Sequence, residues 1–181
     1  MNKNWNVRTL VEAGLVLALS FVLGRIKLFS MPQGGSVTAG QMIPIIIFSI
    51  RHGALKGILV GIAYGILDMI FGGSIYYPVQ VILDYPVAFG ALGFVGFFSK
   101  SFNEKHQILP VFLGTALGVF VRFVCHVLSG AIFFAEYAPE GMNPWLYSAS
   151  YNGTFLAVEF AITVVFIFLL KNFITKDLKN I

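Results

Sequence analysis

Residues 108–134 read ILPVFLGTALGVFVRFVCHVLSGAIFF, and this stretch decides the fold class. It is longer than the roughly 20 apolar residues that a helix needs to cross the hydrocarbon core of a bilayer. Arg122 and His126 lie inside it, and ionisable residues at membrane depth mark polar sites because lipid does not solvate them. The stretch therefore predicts a membrane-spanning helix that holds two ionisable side chains.

Five further apolar segments accompany this one, over residues 7–28, 40–50, 53–71, 77–98 and 147–171. The chain of 181 residues is 57% hydrophobic and 11% charged, whereas ordinary soluble domains carry about 25% charged residues. A soluble domain of this size could not bury so much apolar surface. No linker divides the segments, so we predict one domain over residues 1–181. The predicted fold is an all-α membrane protein, a bundle of six transmembrane helices.

The basic residues predict how this bundle is oriented. Cytoplasmic loops carry an excess of Lys and Arg. With six spans and a cytoplasmic N-terminus, the inner side receives most of the 12 Lys and Arg, namely Lys3, Arg8, Arg51, Lys56, Lys100, Lys105, Lys171, Lys176 and Lys179. The outer side receives Arg25 and Lys27, together with the acidic Glu136 and Glu140. We therefore predict that both termini are cytoplasmic.

Several classes of function are excluded or disfavoured by the same sequence. The net charge of +4 is spread over segment ends rather than collected in a stripe, which argues against nucleic acid as a partner. The single cysteine, Cys125, excludes an intrachain disulfide. The sequence has no Walker motif, and no nucleophile with an oriented base is evident. We expect no catalytic residues, no cofactor and no enzymatic activity.

Three predicted helices bring polar side chains to a similar depth. At about 1.5 Å of rise per residue, Asp84 lies roughly 10 Å, His126 roughly 12 Å and Asn152 roughly 8 Å from the outer ends of their helices. A pocket in the outer half of the membrane is the simplest explanation for this layer.

The residue types in the layer suit a small cationic ligand. The carboxylate of Asp84 can pair with a cation or accept hydrogen bonds, and His126 and Asn152 can orient a ligand. Aromatic faces, which attract cations, are available close by at Tyr85, Phe133, Phe134, Tyr147 and Tyr151.

Alternatives without a ligand stay open at this point. Arg122 lies four residues before His126, on the same helical face, and could form an internal salt bridge with Asp84. A proton relay could use the membrane-embedded ionisable residues Asp68, Asp84, His126 and Glu159. A metal site at Asp84 and His126 is disfavoured because a third ligand is missing, so we predict no metal.

The first helix carries two small residues four positions apart, Gly14 and Ala18. Such spacing lets another helix approach closely. The spacing alone fits a surface for a partner protein and packing inside the bundle equally well.

Four stretches resemble a known family, the thiamine-specific substrate-binding (S) components of energy-coupling factor transporters, or ThiT family. They are MPQGGSV at residues 31–37, PVQVILDY at 78–85, RFVCHVLSG at 122–130 and YSASYNG at 147–153. The resemblance extends over essentially the whole chain and implies a thiamine-binding protein of the bacterial cell membrane.

The resemblance also implies roles for individual residues. Asp84 stands where a family carboxylate binds the aminopyrimidine of thiamine, and Tyr85 lines the site. His126 and Asn152 correspond to polar contacts, and Tyr147 corresponds to a residue beside the thiazolium. The resemblance also brings Tyr77, Arg122, Gly130 and Phe134 into the site.

Some positions depart from the family pattern. Some members have Glu in place of Asp84 and Trp in place of Phe134. A tryptophan that some members carry in the first outer loop aligns near Gly35.

The family further implies partners. Gly14 and Ala18 resemble the motif that docks an S component on a transmembrane coupling subunit, which works with two ATPase subunits. The chain would then capture thiamine outside the cell for delivery through that module. The alternative function is a stand-alone, proton-coupled secondary transporter of a small cationic metabolite.

Overall fold

The structure, a computed structural model, describes residues 5–105 and 107–178. It contains six helical segments. They are α1 (Val7–Arg25), α2 (Met42–His52), α3 (Ala54–Gly72), α4 (78–105), α5 (Ile108–Phe133) and α6 (Pro144–Leu178). A hairpin of two short antiparallel strands, β1 (Lys27–Ser30) and β2 (Ser36–Thr38), joins α1 to α2. A 3₁₀ turn, Ala135–Tyr137, follows α5.

Five of these helices are long and apolar enough to cross a membrane, and α2 is shorter at 11 residues. Large apolar side chains cover the outer surface: Leu55, Phe97 and Leu169 are each about two-thirds exposed, at 69%, 68% and 68%. A surface of this kind is stable in lipid rather than in water. The predicted bundle of six helices in a multi-pass membrane protein is confirmed.

The short helix α2 lies in the middle of the bundle. Met42, Ile45, Ile46 and Ile50 have no exposed surface, and α2 packs against α1, α3, α4 and α6. Because other helices surround α2, it does not need the full length of a bilayer.

The predicted first segment, 7–28, extends too far. Helix α1 ends at Arg25, and Lys27 and Leu28 are extended in β1. Apolar residues continue past Arg25, but they form strand β1 rather than a further turn of helix. Strand β1 pairs with β2, with Phe29 opposite Val37. Glycines at positive φ, Gly34 and Gly35, allow the chain to reverse between the strands.

A seam of glycines lets α3 and α4 approach each other at backbone distance. Gly57, Gly61 and Gly65 recur every four residues along α3. A Cβ atom on Gly61 would overlap the main chain at Phe89, and one on Gly65 would overlap the main chain at Tyr85. Small residues at this spacing are the usual device for close helix contact in membranes. The seam fixes where the site-bearing part of α4 lies.

Helix α4 changes its winding along its length. It begins as an α-helix over Pro78–Ile82 and forms a π-helical turn over Leu83–Val87. It then returns to α-helix over Ala88–Gly90, becomes a 3₁₀ helix over Ala91–Phe98 and ends as an α-helix over Ser99–Lys105. Pro86 has no N–H and cannot make the regular bond of an α-helix, and π turns of this kind are frequent at functional sites. Asp84 and Tyr85 lie within this turn.

The orientation of the termini relative to the cell stays a prediction, as does the single domain over residues 1–181. Lys3 and Lys179, which contribute to the charge argument, lie outside the described residues.

The glycine seam predicts a sharp difference between two valine substitutions. Gly61→Val forces a side chain into the α4 backbone, and overpacking of this kind costs on the order of 1–3 kcal/mol of unfolding free energy. Gly14→Val is the matched control, because nothing lies within 4 Å of a Cβ at Gly14. Thermal unfolding in detergent should give a clearly lower Tm for Gly61→Val alone. Equal melting temperatures for the two variants would contradict the assignment of the seam.

Candidate functional site

A cavity of about 600 Å³ opens at the end of the bundle where α1, α3 and α5 end. Its walls come from α1, the hairpin, α3, α4, α5 and α6. Of the residues predicted for the site, Asp84, Tyr85, Arg122, His126, Gly130, Phe134, Tyr147 and Asn152 line it. The structure therefore brings together side chains from helices that are distant in sequence.

The Asp84 carboxylate is the centre of the hydrogen bonds in this cavity. Its Oδ2 accepts from Gln80 Nε2 at 2.8 Å and from Ser129 Oγ at 2.7 Å. Its Oδ1 lies 2.9 Å from His126 Nδ1. Three side chains from two helices thus hold one carboxylate.

Arg122 determines which nitrogen of His126 carries the proton. Arg122 Nε donates to His126 Nε2 at 3.3 Å. An arginine side chain offers only donors, so Nε2 must be the unprotonated, accepting nitrogen of a neutral ring. The proton is then on Nδ1, which donates to Asp84 Oδ1. Arg122 therefore donates a hydrogen bond to His126, and His126 donates one to Asp84.

The internal salt bridge considered from the sequence does not form. His126 lies between Arg122 and Asp84 and contacts both. The Arg122 guanidinium instead stacks on the ring of Phe89, with Cζ 3.9 Å from the ring centroid. The four-residue spacing correctly put Arg122 and His126 on one face, but it is the histidine that contacts Asp84.

Two further ionisable side chains near the cavity, Arg25 and Glu159, have separate partners. Arg25 Nη2 pairs with Asp68 Oδ1 at 2.9 Å. Glu159 Oε1 accepts from the main-chain N–H and the hydroxyl of Thr38, at 2.5 and 2.7 Å. Within the described residues, no continuous hydrogen-bond path links these carboxylates to Asp84, as a proton relay would require.

Aromatic side chains form one side of the cavity. Phe134 and Tyr137 stack in parallel, 5.8 Å between centroids with an interplanar angle of 9°. Tyr76 meets Phe134 edge to face at 5.5 Å, and Tyr147 lies 5.8 Å from Tyr151. These rings provide faces for a planar or positively charged group.

The structure places Tyr77, one of the predicted site residues, outside the cavity lining. Tyr76 lines the cavity, whereas Tyr77 does not and stacks on Phe133, 5.2 Å between centroids. The backbone at Tyr77 is extended, with φ −133° and ψ 139°, just before Pro78 begins α4. Neighbouring side chains of an extended chain point in opposite directions, so only one of the two tyrosines can reach the cavity.

Asn152 and Gly130 connect α5 to α6. Asn152 Nδ2 donates to Ser148 O at 2.9 Å and to His126 O at 3.4 Å. A Cβ on Gly130 would overlap the Ser148 hydroxyl, so the glycine permits the close contact of the two helices. The amide of Asn152 therefore anchors the main chain beside His126.

The hairpin loop lies against α6 at the cavity. Tyr151 Oη donates to Gly34 O at 2.9 Å and accepts from Gln33 N at 2.8 Å. Gly35 lies against the ring of Phe155, with no room for a Cβ. The loop thus packs closely on α6 beside the cavity.

Comparison with known proteins places this chain in a family. The family model described as "Thiamine transporter protein (Thia_YuaJ)" matches residues 10–179. The chain belongs to the thiamine transporter family. The relationship predicted from the four sequence stretches is therefore confirmed.

Individual relatives give the same picture. Thiamine transporter ThiT of Bacillus subtilis (strain 168) is 35% identical over 180 residues, which cover 94% of this chain and 93% of the relative. Thiamine transporter ThiT of Lacticaseibacillus paracasei is 29% identical over 200 residues, covering 99% and 97%. A solved structure of ThiT from Listeria monocytogenes superposes with a TM-score of 0.81 at 26% identity, covering 95% and 97%.

The family assignment settles the general class of this protein. The relatives are named transporters rather than enzymes, and they are bacterial. Together with the five apolar helices, this makes the chain a multi-pass bacterial membrane protein with a transport role.

Sequence reasoning missed Gln80, Ser129, Tyr76 and Tyr137. The first two had a detectable signal, since Gln80 lies four residues before Asp84 and Ser129 three residues after His126, so each shares a helical face with its partner. The position of Tyr76 depends on the extended backbone before Pro78, which spacing does not reveal.

The predicted docking residues, Gly14 and Ala18, lie far from the cavity lining on an exposed face of α1. Leu15 and Leu19 on the same helix are 65% and 52% exposed. Packing of Gly14 and Ala18 inside the bundle, one of the two interpretations of their spacing, is excluded by this exposure.

The contact of Tyr151 with the hairpin loop gives a prediction. Tyr151→Phe removes two hydrogen bonds to residues 33–34, each contributing about 1 kcal/mol, so local opening of the loop should become about 30-fold more frequent. Hydrogen–deuterium exchange of peptides covering residues 27–38 measures this. Tyr147→Phe is the control, since the Tyr147 hydroxyl makes no hydrogen bond within the described residues. Unchanged exchange in Tyr151→Phe would show that the loop is held by other contacts.

Proposed function

We propose that this chain binds thiamine with high affinity as the substrate-capture component of an importer of the energy-coupling factor type. The observation that carries the proposal is the Asp84 carboxylate, held by neutral donors inside a cavity with an aromatic side. Membership of the thiamine transporter family supports the choice of ligand. The names of the relatives from Bacillus and Lacticaseibacillus point to the same ligand.

The two rings of thiamine match the two kinds of surface in the cavity. The exocyclic amine of the aminopyrimidine is a donor, and a carboxylate has about four acceptor positions, of which Asp84 uses three. The thiazolium carries a fixed positive charge, which the faces of Phe134, Tyr137 and Tyr147 attract. Asp84 and the aromatic side would therefore receive opposite ends of the molecule.

Energy for uptake would come from other subunits. The sequence has no Walker motif. The exposed face of α1 offers Gly14, where nothing lies within 4 Å of a Cβ, as a place for a helix of a coupling subunit. In this proposal two ATPase subunits drive that coupling subunit, and the thiamine-loaded chain delivers its ligand through the assembled complex.

Substitution of Asp84 tests the binding site. Asp84→Asn keeps the shape but removes the charge, and loss of a buried charged partner costs about 2–5 kcal/mol, which corresponds to a loss of affinity of at least about 30-fold. Isothermal titration calorimetry of the purified protein with thiamine measures the effect. Glu136→Gln, at an exposed carboxylate in the turn after α5, is the matched control. Undiminished affinity in Asp84→Asn would remove Asp84 from the site.

Substitution of Gly14 tests the docking surface. Gly14→Trp adds bulk where the chain itself has open space, so thiamine binding should be unchanged while thiamine uptake by cells that carry the coupling module is abolished. Leu113→Trp adds the same side chain to an exposed position of α5, where uptake should persist. If Gly14→Trp loses binding and uptake together, the residue is needed for folding rather than for docking.

The stand-alone secondary transporter remains the competing function. The membrane-embedded carboxylates of Asp68 and Glu159 are the feature that favours it. Liposomes that contain this chain alone distinguish the two functions. Thiamine accumulation abolished by an uncoupler would support the proton-coupled transporter and refute the need for a coupling module.

A further inference from the structure

Gln80 is a buried residue next to the proposed thiamine site. Its side chain is 1% exposed, one helical turn before Asp84. Oε1 accepts from the main-chain N–H groups of Tyr76 and Tyr77, at 3.2 and 3.4 Å. Nε2 donates to Ser74 O at 3.1 Å and to Asp84 Oδ2 at 2.8 Å. The amide therefore uses both its acceptor positions and both its donor hydrogens.

This pattern fixes the amide in one orientation. A flipped amide would direct its NH₂ group at two N–H donors and its oxygen at a carbonyl and a carboxylate. All four contacts would become repulsive, and unsatisfied buried polar groups are costly. The Nε2 donor that reaches Asp84 is thus held in place by the turn over residues 74–77.

The constraint acts where the backbone of α4 is least regular. Asp84 lies in the π turn, where Pro86 interrupts the regular helical hydrogen bonds. Side-chain contacts must therefore contribute more to the orientation of the carboxylate. Gln80 and Ser129 together occupy Oδ2, whereas Oδ1 has His126 as its single partner among the residues that the structure describes.

We propose that Gln80 is a positioning residue that orients the Asp84 carboxylate, so that Oδ1 is the oxygen offered to a hydrogen-bond donor of the ligand. The proposal rests on the proposed function, because it concerns the same carboxylate. It predicts a ligand that presents one amine N–H to Asp84, and it makes Gln80 a determinant of affinity without direct ligand contact.

Gln80→Glu separates positioning from a merely structural role. The substitution keeps an acceptor for Tyr76 and Tyr77, so the turn over residues 74–77 retains two of its contacts. It replaces the donor to Asp84 by a second carboxylate, which repels the first. Thiamine affinity at pH 8 should fall by at least about ten-fold, as expected when a charge-assisted hydrogen bond becomes a repulsion.

Acidification should restore binding in this variant. Two carboxylates at hydrogen-bond distance can share one proton, and the pair then has the charge and the hydrogen bond of the unsubstituted Gln80–Asp84 pair. Thiamine affinity of Gln80→Glu should therefore rise between pH 8 and pH 5.5. The unsubstituted protein, measured over the same range, controls for Asp84, His126, Arg122 and Tyr85, which surround the pair in both proteins.

Ser129→Ala is a second variant that tests the orientation of the Asp84 carboxylate. It also provides a test if Gln80→Glu does not fold. It removes the other donor to Asp84 Oδ2 and leaves the turn over residues 74–77 untouched. If the orientation of the carboxylate matters, thiamine affinity should fall by roughly five-fold at every pH, because one neutral hydrogen bond is lost.

The outcomes distinguish the two proposals. Failure of the unsubstituted protein to bind thiamine would overturn the proposed function. Normal binding by that protein, with affinity in Gln80→Glu either unchanged at pH 8 or reduced equally at every pH, would overturn the positioning role of Gln80. Unchanged affinity in Ser129→Ala would overturn it as well.

Discussion

The carboxylate of Asp84 needs hydrogen-bond donors from neighbouring side chains, because lipid on the outer side of α4 offers none. This requirement accounts for much of the site. Gln80 reaches it from one turn earlier on α4, and Ser129 and His126 reach it from α5. Two of these donors are held in turn, Gln80 by the turn before α4 and His126 by Arg122. The polar side chains around Asp84 therefore form one connected network of hydrogen bonds.

Such a network depends on backbones that stay at fixed distances. The glycine seam brings α3 against α4 where Gly61 meets Phe89 and Gly65 meets Tyr85. Phe89 carries the guanidinium of Arg122 on its ring, and Tyr85 follows Asp84 directly. A shift between these two helices would therefore move the carboxylate and the support of the arginine together. The close packing of α3 on α4 through glycines therefore also determines where the polar side chains of the site lie.

The sequence predicted the helices well because lipid imposes a simple rule on length and polarity. All six helices were recognised, and the depth argument correctly put Asp84 beside His126. It could not predict the hairpin, since apolar residues continue through Leu28 and Phe29 after α1 ends. Nor could it choose between Tyr76 and Tyr77, because that choice depends on backbone direction before Pro78. Contacts between residues of one helix can be predicted from their spacing in the sequence. Contacts that depend on the backbone conformation of a turn cannot be predicted in this way.

The distribution of charge explains why a cation suits this cavity although basic residues line it. Arg25 is paired with Asp68. Arg122 stacks on Phe89 and donates to His126 rather than to Asp84. Asp84 itself is held by an amide, a hydroxyl and a neutral imidazole, none of which cancels its charge. Within the part of the chain that the structure describes, the Asp84 carboxylate thus has hydrogen-bond donors but no Lys or Arg paired with it. A ligand with a hydrogen-bond donor and a fixed positive charge would supply a further hydrogen bond and a counter-ion to Asp84. The amine and the thiazolium of thiamine are such a combination.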